Sequence, residues 1–369
     1  MKRKLRKSFL SSLTIACFLA YIGILTVLNL LAPKASVSWN ENRTLAKAPE
    51  LSVQHIFGGK FDDDFEAWFS DHFVFRDFWI ELKSGLRRAS LAIENNDIYY
   101  AAGDRLVGRF AQVDETTLNS NIDQVNRFAQ DHQLRPYVML VPTAAYGAQD
   151  TLPFGSEDID QPALLAKIYA SLNEAEPIDC AMPVDASLYY RTDHHWNEAG
   201  AYLGYQAICR SALGKEPEDF VYEQVSDGFT GTMYSKSGAF WTAPDPIVKI
   251  TPVQPVQAEV TVDDGTVLEG VYSPKRLEEK DRYTYYVDGN HAREDIHTDI
   301  GNGKKAILIK DSYSHILVPY LICEYEDLTL IDLRYYHAPA SDLLEGDPDV
   351  YFIYSLDSFA SDPNLAFLR

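Results

Sequence analysis

Along the 369 residues the apolar and polar positions change register several times, and each change marks an element. Residues 9–31 form one apolar run without a charged side chain, at about 23 residues long enough to span a bilayer as a helix. Further on, Phe61, Phe65 and Trp68/Phe69 recur at helical spacing and predict a helix with an aromatic face. D-H-F at 71–73 and F-R-D at 75–77 predict a turn between two helices, and together with the polar stretch 38–43 this reads as a stalk followed by a helical core collar. From residue 116 the pattern alternates. Helical periodicity covers 116–132, 161–173 and 196–213, and short apolar strands are expected at 137–141 and 184–188. The alternation returns near the C-terminus with strands at 306–309, 328–333 and 350–354, a helix at 314–323 kinked at Pro319, and a short helix at 339–344. Short, continuously apolar strands separated by helices predict an α/β fold whose parallel sheet is covered on both faces. Residues 215–300 differ. V-S-D-G-F-T-G at 225–231, the prolines between 244 and 255, and V-T-V at 260–262 predict hairpins and loops, hence a mainly β insertion.

Charge changes the picture at the N-terminus. The chain carries −21 overall, yet Lys2, Arg3, Lys4, Arg6 and Lys7 are bases with no acid among them, so the remainder carries −26. Such a body repels nucleic acid and anionic lipid surfaces, and nucleic acid is excluded as a partner. A basic flank before an apolar run predicts a single-pass membrane protein with its N-terminus in the cytoplasm and its body outside. The run exceeds the usual apolar core of a signal peptide, which favours a retained anchor, while A-P-K-A at 32–35 keeps cleavage open. Cys17 lies in the run. Cys180, Cys209 and Cys323 remain, an odd number that allows at most one disulfide and reads more simply as buried thiols.

Residues 190–200 read Y-R-T-D-H-H-W-N-E-A-G and carry the strongest chemical signal. Asp193 and His195, two apart in an extended turn, point to one side. The carboxylate can then fix the imidazole tautomer and leave the other ring nitrogen for a nucleophile. The opposing reading makes His194 and His195 partly buried polar residues at the start of the helix that follows. I-L-I-K-D-S-Y-S-H at 307–315 ends an apolar strand at Ser312, and a strand-turn-helix junction is where hydrolases expose a nucleophilic serine. Ser314 is the alternative serine, and Asp311 or Ser312 as a plain N-cap is the simpler reading. Backbone N–H groups at the helix start could stabilise an oxyanion. Asn290, in G-N-H, is a second oxyanion candidate or an ordinary turn residue. Arg334 either holds substrate or neutralises Asp332 or Asp311. Trp196, Tyr313 and Trp241 are candidate sugar-stacking aromatics, although a tryptophan in the place of Trp196 is more often core, and His194 is a further substrate candidate. A metal held by Asp193, His194 and His195 with His291 or His297 is the remaining reading, but adjacent histidines on a turn rarely face one ion, so no metal and no cofactor is expected.

Y-R-T-D-H-H-W at 190–196, I-K-D-S-Y-S-H at 309–315, I-D-L-R-Y-Y at 331–336, E-N-R-T-L at 41–45 and D-H-F-V-F-R-D at 71–77 together resemble the bacterial DHHW family. That family is similar to the alginate O-acetyltransferases of the permuted SGNH-hydrolase type. The resemblance implies an SGNH-hydrolase-like three-layer sandwich with a parallel sheet. It also implies an O-acetyltransferase or esterase activity on a cell-envelope polysaccharide, with a membrane acyl-donor partner. Carried onto this sequence, the alginate enzymes' Asp-Thr-His-Trp and Gly-Asp-Ser motifs give Asp193, His195 and Ser312 as the catalytic set. Two positions depart: His194 stands for Thr, and Lys310 for Gly, where a lysine can narrow the pocket or change the oxyanion geometry. The expected organisation is a basic flank at 1–8, a transmembrane helix at 9–31, stalk and collar at 32–115, a first α/β part at 116–214, a β-rich insertion at 215–300, and a second α/β part at 301–369. A non-catalytic polysaccharide-binding or assembly protein that kept the fold is the alternative.

Overall fold

The computed structural model describes residues 2–339 and 343–368. The chain forms two compact units, Met1–Leu86 and Arg87–Arg369. In the first, helix α1 (Lys2–Leu31) contains Leu10–Leu31, the one stretch among the described residues that is long and apolar enough to cross a membrane. A short strand pair, Val37–Ser38 with Arg43–Thr44, precedes α2 (Lys60–Asp71), and α3 begins at Arg76 (Arg76–Ala89). The aromatic face of α2 is not core: no residue of that helix is buried, with Phe65 and Phe69 exposed and Phe61 and Trp68 half-buried, so the core packing expected of this helix is corrected to a partly exposed aromatic face.

The second unit is built on an eight-stranded sheet. Its strands are β1 (Tyr137–Val141), β2 (Glu176–Pro177), β3 (Ala258–Val262), β4 (Val267–Glu269), β5 (Arg293–Thr298), β6 (Lys305–Lys310), β7 (Asp327–Ile331) and β8 (Asp349–Ser355), in the order β4-β3-β5-β7-β6-β8-β1-β2. The run β7-β6-β8-β1-β2 is parallel. β6 and β8 are buried along nearly their whole length, because helices cover both faces. Side chains alternate between the two faces: Val138, Leu140, Ile307, Ile309 and Phe352 share one cluster, and Met139, Val141, Leu308 and Ile353 the other. The first cluster packs on α4 (Glu115–His132) through Leu118, Ile122, Val125 and Phe128, and on α5 (Gln161–Ser171) through Leu164 and Ile168. The second takes Ala201, Tyr205 and Ile208 from α6 (Glu198–Ile208).

The sheet is mixed rather than wholly parallel. β5 pairs antiparallel with β7, and β3 and β4 follow antiparallel, so the β-rich segment continues the main sheet. The buried and exposed positions of β5 alternate, as a strand covered mainly on one face requires. A separate ribbon pairs Phe220–Phe229 with Asp245–Pro252. Residues 184–188 form no strand. Pro183 has no N–H to pair, and the Asp185 carboxylate accepts the Ser187 N–H at 2.8 Å, closing a 3₁₀ turn at Ala186–Leu188. The expected helix at 196–213 begins two residues later, where Asn197 caps it by accepting from Ala199 and Gly200, and its last turn, Cys209–Leu213, is a π-helix. At Pro319 a 3₁₀ segment, Ser312–Leu317, gives way to an α-helical turn, Val318–Leu321. Of the helix expected at 339–344, residues 340–342 lie outside the described residues. Cys180 and Cys209 are buried free thiols, and Cys323 is free and half-buried.

Candidate active site

Ser312 sits just past the carboxyl end of β6, between the ends of β7 and β8, where open α/β sheets bind their ligands. The residue before it fixes this turn. Asp311 accepts the Tyr313 N–H (2.9 Å) with one oxygen, and the Ser355 N–H and hydroxyl (2.9 and 2.8 Å) with the other. That carboxylate therefore caps the turn and ties it to the end of β8. Burial raises its pKa, and the Ser355 bonds oppose the rise.

The loop 190–196 approaches from α6. Tyr189 and Trp196 form an isolated antiparallel bridge, and the Tyr190 N–H donates to the His195 carbonyl at 3.1 Å. The buried Asp245 holds the start of the loop: it accepts the Arg191 and Thr192 N–H groups, each at 2.8 Å, and the Thr192 hydroxyl at 2.6 Å. Trp196 is fully buried, and its Nε1 donates to the Tyr313 carbonyl at 2.8 Å, linking the two motifs through the core. Gly204 leaves room for its ring, since a Cβ there would lie 2.6 Å from the indole.

Asp193, His195 and Ser312 form one hydrogen-bonded chain. His195 Nδ1 lies 2.5 Å from Asp193 Oδ1, and His195 Nε2 lies 2.8 Å from Ser312 Oγ. With the proton on Nδ1 donated to Asp193, Nε2 is the acceptor for the serine hydroxyl. Asp193 also accepts the His195 N–H (3.1 Å), the Thr232 N–H (2.7 Å) and the Thr232 hydroxyl (3.0 Å). Burial acts to raise the pKa of Asp193, but His194 and His195 outweigh it and hold the carboxyl well below its ordinary range. Burial, and then the charge of His194, lower His195 to about 4 against the pull of Asp193. His194 goes the other way: burial lowers its pKa, and Asp193 more than compensates, leaving it raised. Two imidazoles thus share one carboxylate with opposite outcomes, and the one whose pKa is lowered faces the serine.

Ser314 is buried on the Ile353 carbonyl at 3.3 Å, so the serine beside His195 is Ser312. The Tyr313 ring is buried, its hydroxyl donates to the His194 carbonyl, and its backbone N–H is taken by Asp311. Tyr313 is therefore corrected from a sugar-stacking surface to a core residue, Trp196 takes the core reading rather than the stacking one, and the two join the motifs. Trp241 packs against Tyr100, with Arg88 over its ring. His194 remains half-exposed, with Nδ1 2.8 Å from Thr232 Oγ1. Arg334 neutralises Asp332, with Nε 2.9 Å and Nη2 2.5 Å from its oxygens, and Nη2 also reaches Asn290 Oδ1 at 3.1 Å. Asn290 is exposed, and among the described residues no hydrogen bond joins it to His195 or Ser312. Lys310 does not open onto Ser312. Its buried ammonium contacts His315 Nε2 at 2.7 Å and lies 3.8 Å from Asp332.

Three supporting residues have no signal in the motifs. Tyr283 stacks on the His195 ring at 3.8 Å and 12°, and its hydroxyl donates to the Ser312 carbonyl at 2.9 Å. Thr232 holds Asp193, and Asp245 holds the loop. All three lie in the segment 215–300. Asp193, His194 and His195 are also the one group of potential metal-binding side chains close together among the described residues. An ion there would compete with the bonds just described. His297 pairs instead with Asp327 at 2.8 Å, and His291 lies 3.6 Å from Asp263 and 3.7 Å from Asp288.

No curated protein matches the chain in sequence. Among solved structures, a DHHW family protein from Eubacterium siraeum superposes with a TM-score of 0.63 at 22% identity, covering 74% of this chain and 96% of that one. Bacillus cereus PatB1, solved with a sulfonyl adduct, gives 0.60 at 18% identity, covering 74% of this chain and 100% of PatB1. The O-acetyltransferase domain of Pseudomonas putida AlgJ gives 0.47 at 15% identity, covering 74% and 95%. The sequence model of the DHHW protein family matches residues 177–331, the span holding both motifs, so the chain resembles the DHHW family in sequence there and in fold over most of its second unit.

Proposed function

We propose that the protein is a membrane-anchored, extracytoplasmic O-acetyltransferase or esterase that uses Ser312, His195 and Asp193 on a cell-envelope polysaccharide. The observation that carries this reading is the unbroken hydrogen-bonded chain from Asp193 through His195 to Ser312. The fold shared with PatB1, a protein solved with a sulfonyl adduct, supports it.

Ser312 Oγ attacks the acyl carbonyl carbon while His195 Nε2 takes the hydroxyl proton. The Ser312 N–H, at the first position of its helix, is the donor assigned to the oxyanion. Collapse expels the donor alkoxide, which takes the proton back from His195 and leaves an acyl-serine. An acceptor hydroxyl then loses its proton to His195, attacks the acyl carbon and frees Ser312, which regains the proton. A sugar acceptor makes the reaction a transfer, and water makes it a hydrolysis. Asp193 orients His195 and stabilises the imidazolium formed in each half. No metal or cofactor enters these steps.

In this reading residues 116–214 and 301–369 are the two halves of the hydrolase-like part, and 215–300 is an insertion that completes the site. The anchor places the body outside the membrane, where an acyl-donor partner would supply the first substrate. Release of acetate from an activated aryl acetate by the full-length protein, abolished in Ser312→Ala and nearly so in His195→Ala, is the test. A folded wild type that turns over no ester yet binds envelope polysaccharide would replace this reading with a binding role.

A further inference from the structure

The segment after the apolar helix turns back onto it, within the unit Met1–Leu86. Asn29, two residues before the end of the apolar stretch Leu10–Leu31, accepts the Val74 N–H at 3.0 Å, and both residues are buried. Lys34 Nζ donates to the Asn29 carbonyl at 2.7 Å and to the His72 carbonyl at 3.3 Å. The ring of His72 closes the elbow, with Nε2 2.9 Å from the Ala35 carbonyl. These bonds fix residues 72–75, between α2 and α3, at the height of residues 29–35. A helix rises about 1.5 Å per residue, so Asn29 lies roughly 3 Å inside the end of the apolar stretch. An elbow bonded there reaches the depth at which hydrocarbon meets headgroups.

What the elbow exposes suits that depth. Phe75 is 61% exposed, Phe78 55% and Trp39 63%, and the three line one surface depression. Phe75 holds φ at 59°, a left-handed value unusual for a bulky side chain. Of the nearby charges, Arg43 pairs with Asp71 and Arg76 with Glu41, while the exposed Asp77 accepts from the Asn40 amide at 2.7 Å and lies 3.9 Å from Arg76 at the edge of the depression. Aromatic side chains at the ends of a membrane span sit at headgroup level.

We propose that this aromatic elbow is a second membrane contact, in which Phe75, Phe78 and Trp39 enter the interfacial layer on the side where α1 leaves the bilayer. The proposal rests on the reading of α1 as a retained anchor. Its driving force is apolar burial, since the exposed acids of α2, such as Asp63, would repel anionic lipid.

Full-length protein is reconstituted into phosphatidylcholine vesicles with p-benzoylphenylalanine replacing Phe75, Leu30 or Asp63 one at a time. Photolysis and mass spectrometry then read lipid adducts. The expected result is lipid adduct at positions 30 and 75, each at least about fivefold above position 63. Adduct at 30 with position 75 no higher than 63 overturns the elbow and leaves the anchor intact. No lipid adduct at 30 overturns the anchor reading and the elbow with it. Cross-linked dimers from position 75 in place of lipid adducts assign the patch to a second copy and also overturn the proposal.

Discussion

Gly231→Ala is the sharpest steric test of the site. Gly231 precedes the short helix Thr232–Ser237 with φ of −87°, a conformation open to any residue, so the substitution introduces no backbone strain. It introduces a collision. A Cβ at this position would lie 2.5 Å from Asp193 Cγ and closer still to Asp193 Oδ2 and Cβ. Carbon atoms in contact prefer separations of about 3.5 Å or more, so one side must move by roughly 1 Å. The glycine is held by its N–H on Thr192 Oγ1 (3.2 Å) and its carbonyl on the Ser235 N–H (3.1 Å), so the carboxylate yields. A misplacement of about 1 Å in a catalytic array costs on the order of 10²-fold, equivalent to about 2.7 kcal/mol of transition-state stabilisation. Overpacking should also lower stability by about 1–3 kcal/mol. The assay is kcat/KM on an aryl acetate, with thermal unfolding of the same preparation. Thr232→Val is the milder companion: it keeps the backbone bond to Asp193 and loses the hydroxyl bond, for about 1 kcal/mol or roughly fivefold. A folded Gly231→Ala protein with kcat/KM within about twofold of wild type would refute the claim that Asp193 must be held in place.

Tyr283→Phe keeps the ring on His195 but loses the bond to the Ser312 carbonyl, and should cost about fivefold in kcat/KM. Tyr283→Leu removes the stacking as well and should cost at least about tenfold more, and equal losses in the two variants would show that the ring contributes nothing. His194→Gln removes the imidazole whose protonated form helps to depress His195, so the His195 pKa rises and the acid limb of the kcat/KM profile moves to higher pH; an unmoved limb contradicts the division of roles between the two imidazoles. Glu294 is buried, and burial raises its pKa against the opposing charge of Lys310. A carboxyl with a raised folded pKa gives stability at low pH that is lost as pH rises towards that value, by up to about 1.4 kcal/mol per unit. Glu294→Gln should therefore gain on wild type as pH rises above the ordinary glutamate range, and urea unfolding over a pH series that shows a constant or shrinking difference would refute it.

Much of the framework is legible in the sequence because burial on both faces leaves a local mark. The continuous apolar runs of β1, β6 and β8 are read from their residues alone. The partners Asp193, His195 and Ser312 are also marked locally, by a turn and by a strand end. Residues 184–188 look like a strand only while Pro183 and the capping carboxylate of Asp185 are overlooked. The antiparallel extension of the sheet has no local signature, since Arg293–Thr298 would alternate in the same way in a separate hairpin. Tyr283, Thr232 and Asp245 are illegible for a related reason. Each reaches its partner across 29 to 54 residues, and no spacing rule connects them. Tyr313 misleads because an aromatic beside a polar motif suggests a binding platform, whereas its ring is buried and its carbonyl takes the indole N–H of Trp196 inside the core.

The central claim, that His195 and Asp193 make Ser312 a nucleophile, is tested most directly by covalent capture. Full-length protein is treated with an aryl sulfonyl fluoride and digested for mass spectrometry. One sulfonyl group should appear on the peptide containing Ser312, be absent in Ser312→Ala, and form at least about 10²-fold more slowly in His195→Ala. A folded wild-type protein that takes up no label, or takes it equally at Ser312 with and without His195, would contradict the account.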